Sequence, residues 1–249
     1  MIHVPLPGKH ISLEICVPPP RKHIFLVIHV PLPGKHISLV ICVPPPGKHE
    51  NKLLCCYQSG FRTLHFTVTA LIEATDSWSL NINRGFVNAV VFLDLKKAFD
   101  MVNNAILLSK PQAYGIHDSA HKWFFSYLRN RIQTCLVNIA TSHETYLPCG
   151  VPRGTILGPV LLLLYINDLL NCLMHSQTRM YADDSSITYA SNDVKEIERC
   201  VNIDLYRVRI WLAGNKLTLN TTKTELLLIG SRQRLSTLER NPIIEMGYP

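Results

Sequence analysis

Apolar and polar positions change rhythm several times along the chain, and each change predicts an element. "NAVVFLDL", Asn88 to Leu95, is a short β-branched run ending on Asp94, and it reads as a buried strand. Asp100 follows at a helix-start position before "MVNNAILLSK", and Pro111 is expected to stop that helix. Asp118 is placed to cap a second helix, "SAHKWFFSYLRNR". "IQTCLVN" and "HETYLPC" predict a hairpin over Ile132 to Cys149. "GVPRGTILGP", Gly150 to Pro159, predicts a Gly/Pro-rich loop leading into an apolar helix, "VLLLLYINDLL". "RMYA" and "SITYA" predict a second hairpin with Asp183 and Asp184 at its tip. Val194, Ile197, Val201, Leu205, Val208 and Leu212 recur at spacings of 3, 4, 4, 3 and 4, an amphipathic helix closed by Gly214 and Asn215. "KTELLLIGS" gives one more strand. The order is strand, helices, hairpin, helix, hairpin, helix, strand. It predicts an α+β fold, an antiparallel sheet with helices packed on one face.

The first fifty residues break this pattern. "VPLPGKHI" begins at Val4 and again at Val30, "VPPPRKHI" at Val17 and "VPPPGKHE" at Val43, four copies with a period of 13 residues. Ten of the 16 prolines and six of the 11 histidines lie in this stretch. Proline at that density blocks helices and sheet ladders, so residues 1–50 are expected to be disordered, with short polyproline II or extended pieces. A proline-rich ligand for an SH3-like domain and a weak histidine metal site are the functional readings. Translation of a tandem DNA repeat is the plainer one.

Composition narrows the class. Apolar residues make up 47% and charged residues 17%, which is globular rather than disordered. The net charge of +7, with a sequence pI near 9.0, suits a polyanionic partner. Eight cysteines, without a C-x-x-C pair or zinc spacing, read as reduced thiols. No apolar run approaches ~18 residues and the N-terminus lacks a signal-peptide core, so no membrane segment is expected and an intracellular setting, cytoplasm or nucleus, is.

Two adjacent aspartates at a hairpin tip repel each other. Alone they read as a polar turn. If the strand of Asp94 neighbours that hairpin, three carboxylates converge, and such a cluster needs a counter-charge. A hard divalent cation supplies one, because Mg²⁺ takes a few carboxylates and completes its shell with water and phosphate. Two such ions ~3.5–4 Å apart serve in-line displacement at phosphorus.

"FLDLKKAFD" (Phe92 to Asp100), "GVPRGTILGP", "YADD" (Tyr181 to Asp184) and "NKLTLNTTKTELLLIGS" (Asn215 to Ser231) occur in that order. Together they resemble the palm of a reverse transcriptase of the non-LTR, LINE-like retrotransposon kind. "YQSGFR", Tyr57 to Arg62, resembles part of the fingers just before it. The resemblance implies a polymerase palm at 89–235, a fingers remnant at 51–88, and a C-terminal tail at 236–249 without a complete thumb. It implies an RNA-directed DNA polymerase that uses Mg²⁺ or Mn²⁺, dNTPs, an RNA template and a DNA primer. Two other functions stay open: a catalytically inactive remnant that binds nucleic acid, and an interaction protein acting through the proline-rich repeat.

Residue by residue, the resemblance implies that Asp94 and Asp183 are the principal metal ligands and Asp184 the third carboxylate. Phe99 matches an aromatic gate against the ribose 2′-hydroxyl, and it also reads as a core aromatic. Leu95, Lys96, Lys97 and Ala98 would offer backbone N–H groups to a triphosphate near a helix N-terminus. Gly150, Pro152, Arg153 and Gly154 form a loop that would approach template, primer and nucleotide. Arg153 stands where the family usually has glutamine, and arginine only donates. Asn103 and Asn104 replace residues that are commonly Asp or His, and Pro111 replaces a common leucine. Lys223 matches a lysine that could protonate the departing pyrophosphate, and it also reads as a solvated surface residue. Arg62 is a candidate phosphate contact. Trp123, Trp211 and the Leu161–Leu164 run read as core.

Overall fold

The computed structural model divides the chain into two units, residues 1–53 and 54–249. It describes four strands within residues 2–43, and residues 54–245 apart from 63–64, 114–117 and 239. In the first unit, β1 (Ile2–Leu6), β2 (Lys9–Cys16), β3 (Ile24–Leu32) and β4 (Lys35–Val43) pair in sequence order as an antiparallel meander. This differs from the disorder expected of the repeat. The reason lies in where prolines fall. Pro5 sits in the edge strand, and Pro31 lies beyond the β2–β3 pairing, where β3 has one neighbour and the missing N–H costs no ladder bond.

The second unit is a mixed α/β body. In order it runs α1 (Thr67–Asn83), β5 (Val87–Leu93), α2 (Ala98–Met101), α3 (Asn104–Ala113) and α4 (Asp118–Leu128). Short strands β6 (Arg131–Gln133), β7 (Leu136–Val137), β8 (Ala140–Thr141) and β9 (Thr145–Leu147) follow. Then come α5 (Leu157–Ile166), β10 (Gln177–Tyr181), β11 (Asp184–Ser191), α6 (Val194–Gly214), β12 (Glu225–Ile229) and α7 (Arg232–Ser236). The main sheet is ordered β10-β11-β5-β12 and every pairing in it is antiparallel.

β5 is central because it is apolar at every position but Asn88. Val87, Ala89, Val90, Val91 and Leu93 are all at most 3% exposed, and each large one contributes roughly 1.5–3 kcal/mol by burial. These residues lie on both faces of the strand, so helices must cover both, which corrects the one-face expectation. Asn88 identifies α1 on one side: it accepts a bond from Asn81 Nδ2 (2.7 Å) and donates to Trp78 O (3.2 Å). Tyr189, paired with Ala89 and so on the opposite face, donates to Glu196 of α6 (3.1 Å).

Other expectations shift locally. Asp100 does not start the following helix. It lies inside the one-turn α2, and Asn103 begins α3 by accepting from Ile106 N–H (3.1 Å). Pro111 does not stop α3 at once: the helix runs two residues further, to Ala113, although the proline has no N–H to offer the Leu107 carbonyl. α5 starts at Leu157, earlier than expected, because Pro159 is tolerated in a first turn. The Ile132–Cys149 hairpin is broken into two tiers, β6–β9 and β7–β8. The six α6 positions all lie in the helix, five of them buried and Val194 half-buried, with Asp193 accepting from Lys195 N–H as cap (2.9 Å). The Leu161–Leu164 run is core, while Trp123 and Trp211 are half-buried.

Candidate active site at the carboxylate end of the sheet

The pairing of β11 with β5 places the aspartates. Ser185 lies opposite Leu93, so one step further Asp184 lies opposite Asp94. Tyr181 pairs with Asp184, which leaves Ala182 and Asp183 as a two-residue turn. Asp183 is half-buried and Asp184 exposed. Partial loss of hydration, then the negative charges of Asp183 and Asp94, raise the Asp184 carboxyl above its ordinary range. Asp184 therefore senses the charge of both other carboxylates.

They do not all face one space. Asp183 lines a cleft of ≈ 480 Å³ with Leu95, Lys97, Ala98, Phe99, Arg153 and Gly154. Asp94, Asp184 and Lys223 line a second cleft of ≈ 690 Å³, walled on its apolar side by α1 and Phe92. The turn stands between the two. Among the described residues no three His, Cys, Asp or Glu groups are gathered tightly enough to hold an ion by themselves. The donor set still fits a hard cation in chemistry, because Mg²⁺ typically takes one or two carboxylates and fills its shell with water and substrate phosphate.

The other expected residues can be placed. Asp94 is held from β12's side of the sheet: Asn220 donates its backbone N–H to the Asp94 carbonyl (2.7 Å) and its side-chain amide to Oδ2 (2.6 Å). Asn220 was not foreseen, since a lone Asn 126 positions away gives no local signal. Lys223 is exposed on the cleft rim. Phe99 lines its cleft instead of the core. The Leu95–Ala98 backbone is less available than expected: Lys96 N–H is spent on Thr218 O (2.9 Å) and α2 is a single turn, too short for much dipole.

The glycine loop is tied to α2. Gly150 N–H donates to Val102 O (2.7 Å) and Val151 N–H to Phe99 O (2.8 Å). Gly150 has φ 88°, and a Cβ there would sit 3.0 Å from the Asp100 carbonyl oxygen, so only glycine fits. Pro152 accepts from Thr155 Oγ1 (3.0 Å). Arg153 pairs with Asp100 (2.8 Å), and its guanidinium lies 5.8 Å from the centre of the Phe99 ring. Arg62 lines neither of these two clefts: its Nη1 donates to the carbonyls of Cys55 (3.1 Å) and Gln58 (2.8 Å).

Gln58 is the second residue the sequence reading missed. Its segment docks on the outer edge of β10, bridging to Met180, and its side chain reaches the Ala182 backbone.

The sheet thus ends in three carboxylates, beside a cleft formed by a strand-to-helix turn and a glycine loop. The chain matches the family model described as reverse transcriptase (RNA-dependent DNA polymerase) over residues 47–245, and it belongs to that family. It is 30% identical over 189 residues to the probable RNA-directed DNA polymerase from transposon BS of Drosophila melanogaster. To the corresponding protein from transposon X-element of the same organism it is 27% identical over 187 residues. These alignments cover 70% and 72% of this chain but 20% of each relative, so the chain spans about a fifth of their length. A solved telomerase structure from Candida albicans aligns with 66% of this chain and 30% of its own, at 13% identity and a TM-score of 0.42, too distant to support an inference. The motif-based resemblance to transposon reverse transcriptases is thus borne out. Among the described residues no helix is long and apolar enough to cross a membrane.

Proposed function

We propose that this chain is the palm of an RNA-directed DNA polymerase of a LINE-like retrotransposon, adding dNTPs to a DNA primer along an RNA template. The observation that carries the reading is the register of β5 with β11, which sets Asp94 opposite Asp184 with Asp183 on the adjoining turn. Asp94, Asp183 and Asp184 are the residues to hold Mg²⁺ (or Mn²⁺), which when bound activates the primer hydroxyl and steadies pyrophosphate. Phe99 in its cleft is positioned to reject a ribose 2′-hydroxyl. Lys223, on the rim beside Asp94 and Asp184, is positioned to donate a proton to the leaving group. The loop of Gly150, Pro152, Arg153 and Gly154 faces the nucleotide across that cleft. Arg62 contacts phosphate only if it exchanges its bonds to Cys55 and Gln58.

One observation favours a second reading, an inactive nucleic-acid-binding remnant. Arg153 is paired with Asp100 and lies near the Phe99 ring, in the cleft a nucleotide has to enter. Primer extension on an RNA template, with Mg²⁺ and dNTPs, separates the two. Extension by the parent and none by Asp183→Ala/Asp184→Ala is expected. No extension by a folded parent that still binds RNA in a salt-dependent way supports the second reading.

A further inference from the structure

We propose that Gln58 is a positioning residue for the carboxylate turn, holding the Ala182 backbone and with it the placement of Asp183 and Asp184 relative to Asp94. The proposal rests on the polymerase reading for its consequence, but the contact stands by itself. Gln58 is 2% exposed. Its Oε1 accepts from Ala182 N–H (2.9 Å) and from Gly60 N–H (2.8 Å), and its Nε2 donates to Ala182 O (3.1 Å). Both backbone groups of one turn residue are therefore held by one side-chain amide, from a segment 124 positions earlier in the chain.

Ala182 needs holding. Its φ is 57°, a left-handed conformation that glycine and asparagine adopt readily and alanine does not. A two-residue hairpin turn with alanine at that position is strained, and strain of this kind persists only where the surroundings over-determine it. The surroundings do so here. Gly60 packs so closely that a Cβ on it would lie 2.1 Å from Ala182 N, which leaves the turn no room on that side. Ser59 N–H donates to Met180 O (2.8 Å) and Met180 N–H to Tyr57 O (2.9 Å), so the segment continues the sheet edge beside β10. Arg62 completes the arrangement by donating to Gln58 O (2.8 Å), which fixes the backbone from which the glutamine reaches. Arg62 thus acts on the site through Gln58.

The amide is chemically specific. One oxygen serves two N–H donors while the NH₂ serves a carbonyl, and only an amide or a protonated carboxyl offers acceptor and donor together at that reach. A glutamate supplies the pattern when protonated and loses the donor when ionised, where it also faces the Ala182 carbonyl with negative charge.

The experiment compares the parent with Gln58→Met, Gln58→Glu and Gln58→Met/Ala182→Gly. All are first checked for folding by denaturant titration. In Mg²⁺-dependent primer extension, Gln58→Met is expected to lower the rate at saturating dNTP by about 100-fold, with KM nearly unchanged, because misplaced reacting groups cost rate more than binding. Ala182→Gly should restore part of that loss by removing the strain the clamp opposes. Gln58→Glu should lose activity as pH rises, relative to the parent, whereas Gln58→Met should follow the parent's pH profile. Equal loss of kcat and affinity in a folded Gln58→Met, with no pH signature in Gln58→Glu, would overturn the proposal. If the parent itself extends no primer, the polymerase reading fails and amide hydrogen exchange decides the positioning claim. Gln58→Met should then exchange at least about tenfold faster at residues 182–184 than global destabilisation accounts for. A uniform rise across β5, β11 and α6 would refute it.

Discussion

Asp204→Ala tests how firmly α6 anchors the start of β10, the end of that strand away from the carboxylate turn. Asp204 lies on α6 with no exposed surface. Its Oδ1 accepts from Met174 N–H (2.8 Å), and its Oδ2 accepts from Ser176 N–H (2.6 Å) and His175 N–H (3.1 Å). These three donors form the segment that leads into β10, the strand that ends at the carboxylate turn. Hydrogen bonds to a charged group contribute ~1.5–3 kcal/mol each, and three would suggest a large loss. Two effects reduce it. Residues 174–176 are only partly buried, so water reaches the freed donors, and alanine removes a carboxylate that was costly to desolvate. A net destabilisation of about 2–4 kcal/mol is expected. Asp204→Asn keeps one acceptor but turns an NH₂ toward a backbone N–H, and should lose about the same. Urea titration should show a lower midpoint with an unchanged slope. A midpoint for Asp204→Ala within ~0.5 kcal/mol of the parent would show that the donors find water without cost, and the anchoring argument would be wrong.

Two further substitutions probe the site's electrostatics and its backbone. The Asp184 carboxyl is raised by partial loss of hydration and by its two neighbouring aspartates, so the stability linked to it is present below the ordinary carboxylate range and lost as pH rises through the raised value. Asp184→Asn should therefore raise the melting temperature of the metal-free protein at neutral pH and not at pH 3, and should weaken the rise that Mn²⁺ gives the parent; equal melting at both pH values would contradict the repulsion. Gly150→Ala should destabilise the fold by roughly 1–3 kcal/mol, because its φ of 88° and the 3.0 Å approach to the Asp100 carbonyl leave no room for a side chain. A denaturation midpoint equal to the parent's would refute that close approach.

How much of this was legible depended on whether the signal was local. β5 was readable because its apolar run is continuous, which a strand covered on both faces requires. α6 was readable because its buried positions recur at helical spacing behind an aspartate cap. α1 was not, since Val68, Leu71, Ile72 and Leu80 are exposed and only Ala74 is fully buried, so no apolar stripe marks it. The carboxylates were identifiable as a pair, but their split between two clefts follows from the alternation of side chains across β11, and that needs the register. Asn220 and Gln58 act on residues more than 120 positions away, and no window along the chain contains both ends of either contact.

The distribution of cost along the sheet argues for function at this end. From Val87 to Val91 the central strand is apolar or, at Asn88, fully hydrogen-bonded. Beyond it the character reverses within a few residues. Asp184 is repelled by Asp94 and Asp183, Ala182 and Lys97 both occupy left-handed backbone, and the glycine loop is pressed against α2. A fold selected for stability alone would replace the repelling carboxylates and place glycine at Ala182. Local rules broken together at one place mark a site, because strain and repulsion elsewhere in the sheet would serve nothing. The clamp from Gln58 and the grip of Asn220 on Asp94 fit that view, since each holds a group the surrounding strands would not hold by themselves.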